Sequence, residues 1–151
     1  MKRDRRLYPL SRGHHHALLF AWRAKRTLQA SGTNADRTVA EKLRVFWPTE
    51  LQPHLRAEEE ILFPAVAGVA GVEDALAEHR QLVDLFVAAN GGGTKIRDIL
   101  QRFAGLLTSH VRFEEDVLFP RIESFLSEEV FDVLGGELTK KLPNEPKTPA
   151  F

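Results

Sequence analysis

One eleven-residue segment occurs twice in this chain, and it constrains the fold more than any other feature. HLRAEEEILFP at 54–64 aligns without a gap with HVRFEEDVLFP at 110–120, a shift of 110 − 54 = 56 residues. His, Arg, the first two Glu and the closing Leu-Phe-Pro all coincide. On a helix, residues four apart lie only about 40° apart around the axis. His54 and Glu58 therefore project together, as do His110 and Glu114. Leu51 and Leu107 each precede the histidine by three residues, which places both pairs on an inward stripe.

Helical periodicity runs through the rest of the chain, and no strand pattern competes with it. The first helix is expected over about 11–30, with Ser11 as N-cap and Ser31-Gly32 as its stop. The second starts after Asn34 and passes Leu62, with a bend expected at Pro48 and Pro53 and its last turn at Pro64. A Gly-punctuated link, 65–71, leads to a third helix over about 72–89. The run Gly91-Gly92-Gly93 then turns the chain into a fourth, from about 94 to 119. A shorter helix should follow Ser127, whose Glu128 and Glu129 suit a positive helix end. Residues 1–142 read as one domain and 143–151 as a short Pro-containing tail. Short links between long helices favour antiparallel neighbours, so the expected fold is all-α, an up-down-up-down four-helix bundle with an extra C-terminal helix.

A weaker echo joins His15-x-x-Leu18 to His79-x-x-Leu82, so each half reads as a His-bearing helix followed by a His-x-x-x-Glu helix. Four inward imidazoles with two carboxylates between them suit a pair of metal ions. The reading places His15 and His54 on one metal and His79 and His110 on the other, with Glu58 and Glu114 bridging. His14 is the alternative on the first helix, and Glu115 the alternative on the fourth. The chain has no cysteine, so thiolate sites, iron–sulfur clusters and disulfides are excluded. Imidazole with carboxylate suits iron, with manganese or zinc as substitutes. A bridging oxo, hydroxo or water would leave room for a diatomic molecule or peroxide.

This layout resembles the hemerythrin family, specifically the bacterial HHE cation-binding domains, from about Leu10 to Pro120. The paired H-x-x-x-E-E-x-x-L-F-P segments carry the resemblance. It implies a four-helix bundle with a non-haem di-iron centre, found in oxygen carriers, in oxygen or iron sensors, and in proteins that repair iron centres. Three departures matter. The oxygen carriers have a histidine four before the position of His79, where this chain has Ala75, which argues against simple reversible carriage. They place the fourth-helix carboxylate five after its histidine, whereas Glu114 and Glu115 here fill both positions. The repair-type relatives add a cysteine-bearing N-terminal segment, which this sequence lacks, although their set of four His and two bridging Glu is the one read here.

Other residues invite plainer readings. Leu-Phe-Pro is expected to pack and to end each helix. Glu59, Glu60 and Glu115 are read as solvated or as supports for ligating imidazoles. Trp22, Trp47 and Phe20 are read as core, Arg56 and Arg112 as outward charges. Leucine three before His54 and His110 and before His79 (Leu76) excludes the ferritin-like Glu-x-x-His pattern, and no H-E-x-x-H, G-x-S-x-G or phosphate-loop motif is present. With 21 basic and 21 acidic residues, nucleic acid is not an expected partner. No apolar run approaches the roughly 20 residues of a membrane span, and the basic N-terminus lacks a secretory apolar stretch, so the expectation is cytoplasmic. The functional expectation is a redox or stress-response centre that binds or reacts with oxygen, nitric oxide or peroxide. The alternative is an iron- or oxygen-responsive regulatory module without turnover, and a bundle with no metal is the third reading.

Overall fold

The computed structural model describes residues 2–30, 32 and 34–142; Ser31 and the tail at 143–151 lie outside the described residues. The described residues hold no strand. Helix α1 (Tyr8–Gln29) begins earlier than Ser11, because Pro9 can occupy the first turn without losing a needed donor. A 3₁₀ turn at Arg5–Leu7 leads into it, capped by the Asp4 carboxylate, which accepts from the Arg6 amide at 2.9 Å. The second arm comprises α2 (Ala35–Phe46) and α3 (Gln52–Ala57), the third is α4 (Val72–Asn90), and the fourth comprises α5 (Ile96–Phe113) and α6 (Phe119–Phe125). Helix α7 (Glu128–Lys141) starts at Ser127 as expected, whose hydroxyl accepts from the Val130 amide at 3.3 Å.

The prolines do something other than what the sequence suggested. Three π-helical turns interrupt the arms, at Trp47–Leu51, Glu58–Leu62 and Glu114–Leu118. Each begins six residues before a proline, namely Pro53, Pro64 and Pro120. A proline cannot donate to the carbonyl four back, and its ring crowds that carbonyl. The turn widens instead, and the amide just before each proline bonds five back: Gln52 to Trp47, Phe63 to Glu58, Phe119 to Glu114. The bend expected at Pro48 and Pro53 is thus a widened turn. Pro120 does not end its helix, which runs on to Phe125; after Pro64 only a 3₁₀ turn, Phe63–Val66, remains.

The core has two apolar clusters with a polar layer between them. One holds Ala17, Leu51, Leu55, Leu82, Leu107 and Val111 among others. The second holds Leu10, Ala57, Leu62, Ala75 and Leu118. Along α1 the chain passes from the second cluster to the first, along the second arm from first to second, then back along α4 and down again along the fourth arm. That alternation is the up-down-up-down bundle. Helix α7 closes the end that holds the second cluster, where Phe131 and Leu138 pack with Leu7 and the Arg6 guanidinium lies 3.9 Å from the centre of the Phe131 ring. At the far end Phe20 stacks on Phe46 at 4.3 Å and Trp47 on Phe86 at 4.5 Å. Trp22, read as core, is 54% exposed beneath Arg26. No helix among the described residues is long and apolar enough to cross a membrane.

Candidate metal centre

The polar layer consists of His14, His54, Glu58, His79, His110 and Glu114, all buried. Their donor atoms form two overlapping groups, His14 with His54, Glu58 and Glu114, and His79 with His110 and the same two carboxylates, each group lying within 4.8 Å. Five of the six residues expected from the sequence are therefore brought together. The sixth is not: His15 is exposed, and His14 stands in its place. The reason is the stripe on α1. Leu10, Ala17, Ala21, Ala24 and Leu28 are among the buried residues of that helix, and their alternating three- and four-residue spacing passes through position 14. Leu18, which pointed to His15, is only partly buried.

The two carboxylates lie between the imidazole pairs. Glu58 Oε2 is 3.3 Å from His54 Nε2 and 3.5 Å from His14 Nε2, while its Oε1 is 3.2 Å from His79 Nε2. Glu114 Oε1 is 2.9 Å from His14 Nε2 and 3.3 Å from His110 Nε2, and its Oε2 is 3.9 Å from His79 Nε2. Both begin π turns, and the residue after each reaches a neighbouring arm. Glu59 then takes a hydrogen bond from His79 Nδ1 at 2.6 Å, and Glu115 one from His14 Nδ1 at 2.6 Å. Glu115 thus supports an imidazole from outside the layer, and Glu114 occupies the interior. Ser11, inside α1, donates to the same Glu115 at 2.9 Å.

Sequence reasoning missed two positions. Glu78 accepts from His110 Nδ1 at 2.8 Å; it lies one residue before His79, and a carboxylate beside an inward histidine was the available signal. Gly13 lies one residue before His14, and a Cβ there would fall 2.4 Å from His54 Nδ1. Glu60, Arg56 and Arg112 are exposed.

Charge in the metal-free layer is shared between acids and bases. Burial opposes a charge on His14, yet Glu114, Glu115 and Glu58 hold its imidazolium well above the usual range. Burial likewise opposes charge on His79, which Glu58 and Glu59 push up to about 9. His110 is pushed up to about 10 against burial by Glu114 and Glu78. Burial would raise Glu58, but His54, His14 and His79 drive its carboxyl well below the ordinary value. Even so, pairing is incomplete: His54 Nε2, His79 Nε2, His110 Nε2, both Glu58 oxygens and Glu114 Oε2 are buried with no hydrogen-bond partner.

The family model described as the hemerythrin HHE cation binding domain matches residues 10–122, with a second match at 70–137. Among curated proteins, a DNA nickase from Nostoc sp. (strain PCC 7120 / SAG 25.82 / UTEX 2576) is 31% identical over 86 residues. That alignment covers 53% of this chain and 24% of the nickase, so the chain spans about a quarter of that protein's length. No solved structure gives a significant match.

Proposed function

This chain belongs to the hemerythrin HHE cation binding domain family, and from that premise we propose that its polar layer holds two iron ions and binds or reacts with oxygen, nitric oxide or peroxide in a redox or stress-response role. His14 and His54 would hold one ion, His79 and His110 the other, and Glu58 and Glu114 would reach both. The observation that carries this reading is the set of buried donor atoms that lack a hydrogen bond, three imidazole nitrogens and three carboxylate oxygens. Charged groups buried in a dry core without full hydrogen bonding are costly. They are tolerated where a cation answers them, and imidazole with carboxylate is a donor set that suits iron.

When bound, such iron supplies a redox change and open coordination positions for a small ligand. The chain's own residues do the rest. Glu59, Glu78 and Glu115 fix three of the imidazole rings and make them better donors. Phe63 lies 5.8 Å from the His79 ring and Phe119 5.3 Å from the His14 ring, keeping water from that side. Ala75, where the oxygen carriers would supply a further histidine, is a fully buried methyl in the second apolar cluster. This favours reaction or sensing over simple carriage.

Anaerobic loading with ferrous iron, metal counting, and spectra after adding oxygen, nitric oxide or peroxide test the reading. Close to two irons per chain and a spectral response to at least one of the three are expected. A chain that takes up less than one iron, with no further loss in His54→Ala, would leave the metal-free bundle as the better account.

A second reading, an iron-responsive regulatory module, draws on the N-terminal segment. Arg3 donates to the Glu115 carbonyl and lies 3.4 Å from its carboxylate, and it pairs with Glu123 at 2.9 Å. Glu115 in turn holds His14. A change in the layer would therefore reach the N-terminal segment, whose Arg6 pairs with Glu128 at 2.9 Å and Asp132 at 2.8 Å on α7. Equal thermal stability with and without iron would count against this reading.

A further inference from the structure

The two halves of the polar layer are built from one pattern, and they differ at one station. His14 corresponds to His79, His54 to His110, Glu58 to Glu114 and Glu59 to Glu115. In the second half the residue before His79 is Glu78, whose carboxylate holds His110 Nδ1 at 2.8 Å. In the first half the residue before His14 is Gly13, and it faces His54 Nδ1 with no side chain at all. Among the described residues the only carboxylate within 4.0 Å of the His54 ring is Glu58, on Nε2. Three imidazoles are thus anchored from behind by a carboxylate and His54 is not.

A cavity of about 380 Å³ lies where the anchor is missing. Phe46, Thr49, Pro53, Gly13 and His54 line it together with the charged side chains of Arg12 and Glu50. His54 is also the most exposed of the four imidazoles, at 5% against 2%, 2% and 1% for His14, His79 and His110. Those three line none of the other principal cavities.

Resting on the metal-centre reading above, we infer that His54 is the exchangeable ligand of the centre and that this cavity admits a small neutral donor molecule, about the size of an imidazole, to the metal that His54 holds. A ring without a support on its distal nitrogen is a weaker ligand, and loss of such a support lowers metal affinity by roughly 10- to 100-fold. Gly13 contributes twice: it withholds the support, and it lets the ring lie against the α1 backbone, where a Cβ would fall 2.4 Å from Nδ1. In the half with His79 and His110 both imidazoles have a support, and neither lines a principal cavity among the described residues.

The test is chemical rescue. His54→Gly and His110→Gly are each loaded anaerobically with ferrous iron, with and without millimolar imidazole, desalted into the same buffer and counted for metal. Both should lose metal relative to the unaltered chain. Imidazole should restore most of the loss in His54→Gly and none in His110→Gly. Equal rescue of both, or of neither, or full metal in His54→Gly without imidazole, would overturn the inference. A second variant keeps every ligand and needs no refolded hole: Thr49→Trp, at an exposed position on the cavity wall, should leave the metal count unchanged and slow metal loss to a chelator several-fold. An unchanged rate would also overturn it. If the unaltered chain itself takes up no metal, the metal-centre reading has failed instead, so the two failures are distinguishable.

Discussion

Glu78 and Gly13 occupy the same station, one residue ahead of the inward histidines of α4 and α1, and only Glu78 carries a group that reaches across, its Oε1 lying 2.8 Å from His110 Nδ1. The difference makes the two halves of the layer unequal. Removing Glu78 should make them alike. In Glu78→Ala, metal in the second half should be held roughly 10- to 100-fold less tightly, and chelator-driven release, expected to be biphasic in the unaltered chain, should collapse toward a single fast phase. Release that stays biphasic, with the slow phase intact, would show that the carboxylate does not support His110.

The neighbouring histidines of α1 make a sharper comparison. His14 is 2% exposed inside the layer, while His15 lies on the outer face. His14→Ala should reduce the iron count by about half of the total, because one of the two ions loses a donor and keeps only His54 and the shared carboxylates. His15→Ala should match the unaltered chain in iron count and in melting temperature. Iron lost on His15→Ala but not on His14→Ala would reverse the assignment.

That exchange of His15 for His14 shows where the sequence was legible and where it was not. The repeat disclosed His54, Glu58, His110 and Glu114 because large apolar residues flank them at helical spacing. On α1 the inward stripe is made largely of alanines, Ala17, Ala21 and Ala24, which carry little hydropathy signal. The partly buried Leu18 then pulled the register by one residue. The π turns were hidden for another reason. A proline reads as a break, yet here the bundle on both sides holds the chain helical, so the turn widens and the helix resumes beyond Pro120. The second Glu of each pair was hidden because its partner lies on another arm, Glu59 meeting His79 Nδ1 and Glu115 meeting His14 Nδ1. Gly13 could not be read at all, because its significance lies in what a side chain there would strike.

Stability in the absence of metal should depend on pH with a definite sign. The His79 and His110 imidazoles are held at about 9 and about 10, above the ordinary value of 6.5. A raised histidine stabilises the fold fully below its unfolded value, and that contribution is lost as pH rises through the folded value. Glu58 and Glu115 are depressed below 4.5, so their contribution is present above that value and is lost in acid. The metal-free chain should therefore melt highest between about pH 4.5 and 6.5 and lose melting temperature steadily toward pH 10. Ligation requires neutral imidazole, so binding expels these protons and metal affinity should rise over the same window. The gap in melting temperature between loaded and metal-free protein should widen from pH 6.5 to pH 10. A gap that narrows would contradict the charge distribution described for the layer.

The last prediction separates the centre from its scaffold. Ser127 caps α7, accepting from the Val130 amide at 3.3 Å, and α7 covers the second apolar cluster through Phe131, Leu134 and Leu138. Ser127→Ala removes the cap and leaves one amide of the first turn without its partner, a change that costs about 0.5–2 kcal/mol of stability. None of the lost contacts touches the polar layer, whose members lie on the four arms of the bundle. Denaturant unfolding of the metal-free chain should show the loss as a lower midpoint with an unchanged slope, because the surface exposed on unfolding is the same. Iron count and chelator release should match those of the unaltered chain. If Ser127→Ala instead sheds iron in proportion to its lost stability, α7 is coupled to the centre through the N-terminal segment, where Arg6 pairs with Glu128 and Asp132 of α7 and Arg3 with Glu115, and the regulatory reading gains over the reactive one.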